Sequence, residues 1–379
     1  LGWALGLTGF VFSLYHWVFE ADLTQRAGEL IPLDWVIGVV TIALVFEAAR
    51  RVMGWGLPII CGIFLAYGLF GQYLPGALAH RGFGVDQVVS ALGFGTEGIY
   101  GTPTYVSSTY IFLFILFGAF LEQAGMIQLF NDFAMGTVGH TRGGPAKVSV
   151  ISSGLMGTIN GSGVANVVTT GQFTIPLMKR FGYSSAFAGG VEATSSMGGQ
   201  IMPPVMGAVA FIMAETINVP YIAIVQAALI PAILYFATAF WMVHLEAGRK
   251  GLMGLPKDEC PNPWTAVRLR WYLLLPLVGL VALLFSGYTP LFSGTVGLGL
   301  TVILIFGAAV LTGVRGLGLR AVFWVLLGLA CAGFFEFGVG TFFVLTALLV
   351  ATTYLRRVGA DARALAVQAM VDGARHALP

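Results

Sequence analysis

The sequence predicts an all-α polytopic membrane protein with about ten transmembrane helices and a re-entrant hairpin. Three observations lead there. Of the 379 residues, 57% are apolar and only 9% are charged, with a mean hydropathy of +0.87. Soluble domains carry about 25% charged residues, so a surface this poor in charge must face lipid. Apolar runs near the spanning length recur along the chain. With those runs treated as alternating spans, 17 of the 19 lysines and arginines fall on one side, as the positive-inside rule requires.

Taken in order, the runs are 1–19, 33–49, 57–74, 105–121, 220–243, 271–287, 289–312, 320–336 and 338–355. Residues 145–181 are read as a hairpin entering and leaving by one face, and 184–218 as a single interrupted span. Splitting 184–218 into two crossings would move the basic linker 244–270 (Arg249, Lys250, Lys257, Arg268, Arg270) to the outside, against the charge rule. The N-terminal end and this linker are therefore cytoplasmic. Only Arg26 and Arg81 fall opposite. The implied division is 1–80, a scaffold of helices; 81–243, a first repeat; 244–270, the linker; and 271–379, the start of a second repeat. Segments 84–100 and 361–378 are amphipathic and lie on opposite sides by charge, the pattern of a partial inverted repeat. The opening residue Leu1 sits inside an apolar run and Pro379 closes an amphipathic one, which leads to the expectation of a fragment at both ends.

Bulk features exclude several functions. A net charge of +2 does not suit a nucleic-acid partner. Cys61, Cys260 and Cys331 lie far apart with no CxxC or Cys/His cluster, so neither a disulfide framework nor a structural zinc site is expected. There is no Walker motif and no HExxH motif, and the aspartates fall at loops or span ends. ATP-driven pumping and intramembrane proteolysis therefore have no support. The tryptophans cluster near span ends, as interfacial belts do.

The chemistry lies in 144–218, which is rich in Gly, Ser, Thr and Asn, broken by Pro145, Pro176, Pro203 and Pro204, and nearly free of charge. Broken helices survive in hydrocarbon only where they are buried or line a cavity. One break is the hairpin tip, with Asn160, Gly161, Ser162, Gly163 and Asn166. The other holds Ser195, Ser196, Gly198, Gly199 and Gln200. Free carbonyls with hydroxyl and amide oxygens suit a hard monovalent cation such as Na⁺, and helix N-termini suit an anionic substrate group. Glycines and serines can also serve only to pack helices tightly; two clusters, each beside a helix break, favour the site. Glu192 is an ionisable residue midway along a span, either buried with structural partners or touching the ion or substrate path. Glu215 is expected to reach water, Glu47 to pair with Arg50 and Arg51, and Lys147 to anchor the hairpin base.

The runs Gly143-Gly144-Pro145-Ala146-Lys147, Gly157-Thr158-Ile159-Asn160-Gly161-Ser162-Gly163-Val164-Ala165-Asn166, Ile175-Pro176-Leu177-Met178-Lys179 and Gly198-Gly199-Gln200-Ile201-Met202-Pro203-Pro204 resemble the large membrane subunit of TRAP (tripartite ATP-independent periplasmic) transporters. They look most like the fused permeases of the TAXI branch. The resemblance extends from about Asp34 to Pro379 and is densest between 100 and 250. It implies a Na⁺-driven elevator-type importer in the inner membrane of a bacterium or archaeon. Such a carrier takes a small organic anion, a carboxylate by resemblance, from an extracytoplasmic solute-binding protein. It also implies no catalytic activity and no cofactor beyond the coupling Na⁺. The ion site would lie where the tip meets the interrupted helix, and a second hairpin would lie beyond Pro379. The tip reads Asn-Gly-Ser-Gly where relatives are richer in serine, which implies an amide or carbonyl in place of one hydroxyl. The alternative is a Na⁺-coupled anion carrier with paired hairpins that needs no binding protein.

Overall fold

The computed structural model describes residues 2–312, 314, 316–338 and 340–377. Arg315, counted among the orientation charges, lies outside the described residues, as do Leu1 and Pro379. All the regular secondary structure of the described residues is helical. Six of its helices are long and apolar enough to cross a membrane: Pro32–Met53, Gly56–Tyr73, Thr102–Val138, Tyr221–Lys250, Lys257–Phe285 and Pro290–Val310. Large apolar side chains such as Ile63, Phe64, Ile230, Leu234, Val325 and Leu329 point outward. Exposed apolar area of this extent marks a lipid-facing surface.

The chain forms two compact units divided after Tyr105. The first contains α1 (Gly2–Val18), α2 (Pro32–Met53), α3 (Gly56–Phe70) and the short α4 (Val85–Gly93). Its polar centre is Asp34, which is fully buried. Arg26 pairs with it, Tyr15 Oη donates to it at 2.7 Å and the Ile31 backbone N–H at 3.1 Å. Glu47 accepts from Arg50 Nε and Arg51 Nε, both at 2.7 Å, the local pairing expected of residues three and four apart.

The second unit begins within α5 (Thr102–Val138), which runs 37 residues, well past the span expected to end at 121. Two π-helical turns interrupt it, Ser107–Ile111 and Glu122–Met126. The extension is polar because its polar groups meet protein: Asn131 accepts from Ser152, and Asp132 accepts from Arg270 Nη1 at 3.1 Å. Next come α6 (Gly144–Asn160), α7 (Gly163–Arg180), α8 (Ser185–Met197), α9 (Ala208–Thr216) and α10 (Tyr221–Lys250). Residues 244–250 continue α10 rather than opening a loop. Glu246 pairs there with Arg249 and Lys250 at 2.9 and 3.1 Å, and Gly251 ends the helix at φ +66°, a left-handed conformation that favours glycine. Then follow α11 (Pro263–Arg270), α12 (Leu274–Phe285), α13 (Pro290–Val310), α14 (Leu317–Ala332), α15 (Gly340–Leu355) and α16 (Ala360–Ala377). The amphipathic α16 lays its small residues against α5, where a methyl added at Gly373 would lie 2.9 Å from Leu116.

The largest core takes in residues from both breaks. Ile159 of the tip and Val205 and Met206 of the second break pack with Phe114, Phe117, Phe211, Tyr221 and Leu280. The rings of Phe211 and Tyr221 stack at 4.4 Å, and Tyr221 Oη donates to the Val205 carbonyl at 2.6 Å. A loop crossing an apolar interior needs its carbonyls satisfied, and Tyr221 does this for the chain after Pro204.

Candidate functional site

The hairpin is two helices joined by two residues. Helix α6 closes at Gly161, whose φ of +58° is left-handed. Ser162 is extended and caps α7, its hydroxyl accepting from the Ala165 N–H at 3.3 Å. Opposite it, α8 tightens into a 3-10 turn at Gly198–Ile201, and the chain stays non-helical until Gly207 leads into α9.

These two breaks touch, backbone against backbone. A methyl on Gly157 would lie 2.3 Å from Gly199 Cα, and one on Gly161 would lie 1.9 Å from the Met206 carbonyl oxygen. One on Gly163 would lie 2.5 Å from Met197 Sδ and 3.0 Å from Gln200 Nε2. Any side chain at 157 or 161 would separate the tip from the break, so glycine is required at both.

The polar groups nominated at the breaks divide by direction. Asn166 is fully buried and adjoins Gly199, with Nδ2 donating to the Ser153 carbonyl at 2.8 Å. Gln200 faces the tip at Gly163, half-buried. Asn160 is buried and donates from Nδ2 to Glu122 Oε1 at 3.0 Å, while its Oδ1 has no partner among the described residues. Ser162, Gly198 and Gly199 complete the contact zone. Ser195 and Ser196 face elsewhere. Ser196 turns to Glu192, and Ser195 lines an apolar groove of about 1000 Å³ with Val150, Pro231, Leu234 and Tyr235, its buried Oγ unpartnered among the described residues.

Glu192 proves to be enclosed, with zero exposure. Its Oε1 accepts from Ser196 Oγ at 2.9 Å, Ser153 Oγ at 3.1 Å and Thr170 Oγ1; its Oε2 accepts from Ser149 Oγ at 2.7 Å and Thr174 Oγ1. No Lys or Arg pairs with it among the described residues. The five hydroxyls come from both hairpin legs and from α8, so one carboxylate ties three helices together. Sequence reasoning missed Ser149, Ser153, Thr170 and Thr174, although each pair stands four apart on one helix face. It also missed Glu122 as the partner of Asn160.

At the hairpin base Lys147 is buried, not projecting into water. Its Nζ donates to Thr141 Oγ1 at 3.2 Å and sits 4.8 Å from the Phe240 ring. Burial, and then the nearby Glu246 charge, push the Tyr183 hydroxyl up to about 12, so it remains neutral. Glu215 is exposed and accepts from Tyr110 Oη at 3.0 Å. Among the described residues no group of three His, Cys, Asp or Glu could hold a metal ion. Oxygen ligands at the breaks would be amides, hydroxyls and carbonyls.

The described residues thus form a polytopic bundle of apolar helices in which a helical-hairpin tip packs on a second helix break. The family model for the "Tripartite ATP-independent periplasmic transporter, DctM component" matches residues 40–373, and the chain belongs to that family; it is a transporter component and not an enzyme. It is 29% identical over 219 residues to the C4-dicarboxylate TRAP transporter large permease protein DctM of Pseudomonas aeruginosa, covering 57% of this chain and 50% of that protein. It is 29% identical over 178 residues to the sialic acid TRAP transporter large permease protein SiaM of Vibrio cholerae, covering 47% and 41%. It is 25% identical over 184 residues to the 2,3-diketo-L-gulonate TRAP transporter large permease protein YiaN of Escherichia coli, covering 48% and 43%. The chain thus spans about half the length of the curated relatives it matches.

Proposed function

We propose that this chain is part of the permease of a Na⁺-coupled importer that accepts a small organic anion from an extracytoplasmic solute-binding protein. The observation that carries the reading is the direct contact of two helix breaks, Gly157 on Gly199 and Gly161 on Met206. In hydrocarbon each break leaves carbonyls and half-helix ends without intrahelical partners, and such groups persist where they line a path for something that crosses. Asn160, Gly161, Ser162, Gly163 and Asn166 of the tip, with Gly198, Gly199 and Gln200 of the break, form the coupling-ion and substrate region. Ser195, with its unpartnered buried hydroxyl, flanks it.

The hairpin 145–181 is re-entrant in this account. Its legs of 17 and 18 residues are each about 26 Å long, just short of the hydrocarbon thickness. Within the family, the fused TAXI-type arrangement fits an N-terminal group of apolar helices ahead of the first repeat. The division into 1–80, 81–243, 244–270 and 271–379 is part of the same proposal, as is an elevator movement in which this tip and break travel together with a second hairpin from an inverted repeat. A carboxylate is the substrate class favoured, since C4-dicarboxylates, sialic acid and 2,3-diketo-L-gulonate, the compounds in the names of the relatives, all contain one.

The test is uptake by the complete protein in proteoliposomes, using radiolabelled C4-dicarboxylate and sialic acid. It is run with and without a Na⁺ gradient, and with and without a candidate extracytoplasmic solute-binding protein from the same organism. Uptake that needs both supports the proposal. Uptake that needs Na⁺ but not the binding protein would establish a self-sufficient anion carrier instead, and uptake indifferent to Na⁺ would remove the ion-coupling part.

A further inference from the structure

Helix α5 reaches the hairpin tip through two residues one turn apart. At Gly118 the tip backbone lies so near that a methyl would stand 3.2 Å from Asn160 Cα and 3.2 Å from the Ile159 carbonyl oxygen. Four residues on, and so on the same helix face, the buried Glu122 carboxylate accepts from Asn160 Nδ2 at 3.0 Å. Glu122 also opens the π-helical turn Glu122–Met126, in which Gly125 takes φ +104°. Such single-turn π segments often occur at functional positions. The next residue, Gln123, donates to Asp372 Oδ2 of α16 at 2.8 Å, which holds the turn from its other side.

Two features of this contact point to a cation. First, Glu122 Oε1 accepts from the Asn160 amide nitrogen, and that bond fixes which end of the amide faces it. The NH₂ is spent on Glu122, and the carbonyl Oδ1 is turned away into a buried position with no partner among the described residues. Second, no Lys or Arg pairs with Glu122 among the described residues. A carboxylate inside a membrane protein without a counter-charge is costly, and a neighbouring cation offsets that cost.

We infer that Glu122 is a positioning residue for the coupling-ion site: its carboxylate locks the Asn160 amide so that Oδ1 is presented as a ligand, and its charge favours a cation there. The inference rests on the reading of the tip as an ion site. It assigns part of that site to α5, a helix outside both the hairpin and the interrupted span.

The test is equilibrium binding of ²²Na⁺ alone to the full chain in lipid nanodiscs, for the wild type, Glu122→Ala, Glu122→Gln, Asn160→Ala and the Glu122→Ala/Asn160→Ala double variant. A charge-assisted hydrogen bond of this kind corresponds to about a tenfold change in affinity. Each alanine variant is expected to weaken Na⁺ binding by about that factor, and the double variant by no more than the worse single one, because both changes remove one interaction. Glu122→Gln, which can still accept from Asn160 Nδ2 but lacks the charge, is expected to recover to within about threefold of wild type, a rescue that a merely structural role does not predict. Asn160→Ala weakening Na⁺ binding while Glu122→Ala leaves it unchanged would overturn the role of Glu122 and spare the ion site. Losses that multiply in the double variant would do the same. Should Glu122→Ala not fold, a tenfold or greater loss in Glu122→Gln, which keeps the acceptor for Asn160 Nδ2, overturns it. Wild-type affinity in Asn160→Ala, or no Na⁺ binding by the wild type, overturns both readings.

Discussion

Replacing Glu192 with alanine should destabilise the protein by about 2–4 kcal/mol, a figure worked from its surroundings. The carboxylate accepts five hydroxyl hydrogen bonds. Hydrogen bonds between helices in membranes average about 0.6 kcal/mol and reach about 1.7, while bonds to a charged acceptor in proteins run about 1.5–3 kcal/mol. Simple addition overstates the loss, since two donors have a second acceptor ready. Thr170 Oγ1 lies 2.7 Å from the Asn166 carbonyl and Thr174 Oγ1 lies 3.0 Å from that of Thr170. Ser153 and Ser196 keep weaker contacts, to Thr170 Oγ1 at 3.2 Å and to Ser153 Oγ at 3.5 Å, which leaves Ser149 to find a new partner beside a cavity the size of the lost side chain. Glutamine should cost less, about 1–2 kcal/mol. Its carbonyl can take the three-donor side of Ser153, Thr170 and Ser196. Its NH₂ would then face Ser149 and Thr174, and Thr174 can turn its proton to the Thr170 carbonyl and accept instead. The assay is unfolding of the purified protein in mixed micelles of rising SDS fraction, followed by tryptophan fluorescence. An alanine variant within about 0.5 kcal/mol of wild type, or glutamine worse than alanine, would refute the idea that this carboxylate fastens both hairpin legs to α8.

Other expectations follow from the same geometry. Gly157→Val sets carbon where the Gly199 backbone lies, since its Cβ alone would stand 2.3 Å from Gly199 Cα. Overpacking of this kind costs about 1–3 kcal/mol, and uptake in proteoliposomes should fall below a tenth of wild type, on the order of that cost. Gly189→Ala, where a methyl meets nothing within 4 Å, should transport normally; equal activity in both variants would show that the close approach of tip and break is dispensable. In the first unit, Asp34→Asn removes the partner of Arg26. Asp34 is 1% exposed and Arg26 22% exposed, so the arginine can reach water and the cost should stay near 1–3 kcal/mol, read as a lowered thermal midpoint in detergent. No shift in that midpoint would mean that the Tyr15–Arg26–Asp34 cluster contributes nothing to folding.

Much of the fold was legible because apolar runs need no knowledge of their neighbours. The spans around Trp35, Phe64, Tyr235 and Ile303 are helices where hydropathy put them. Hydropathy failed where polar residues stay inside protein. Glu122, Asn131 and Asp132 read as the end of a span, yet α5 continues to Val138 because Asn160, Ser152 and Arg270 meet them. Likewise 244–250 looked like a linker, although Glu246 with Arg249 and Lys250 is a helical spacing. The two glycine-rich breaks were visible as composition, and their contact agrees with small residues at both. Which polar group serves which break was not legible. Ser195 and Ser196 are neighbours in sequence and face different surroundings, a consequence of the 100° turn per helical residue. The cage around Glu192 draws on three separated segments, and linear spacing does not say which of them meet.

The central claim is that the tip and the break hold the ion that drives transport. Its most direct test is Na⁺-gradient-driven uptake by the complete protein bearing Asn160→Ala or Gln200→Ala, with Na⁺ titrated at fixed substrate. Half-maximal uptake should require about tenfold more Na⁺ in each variant. Sodium dependence identical to that of the unaltered protein in both would contradict it.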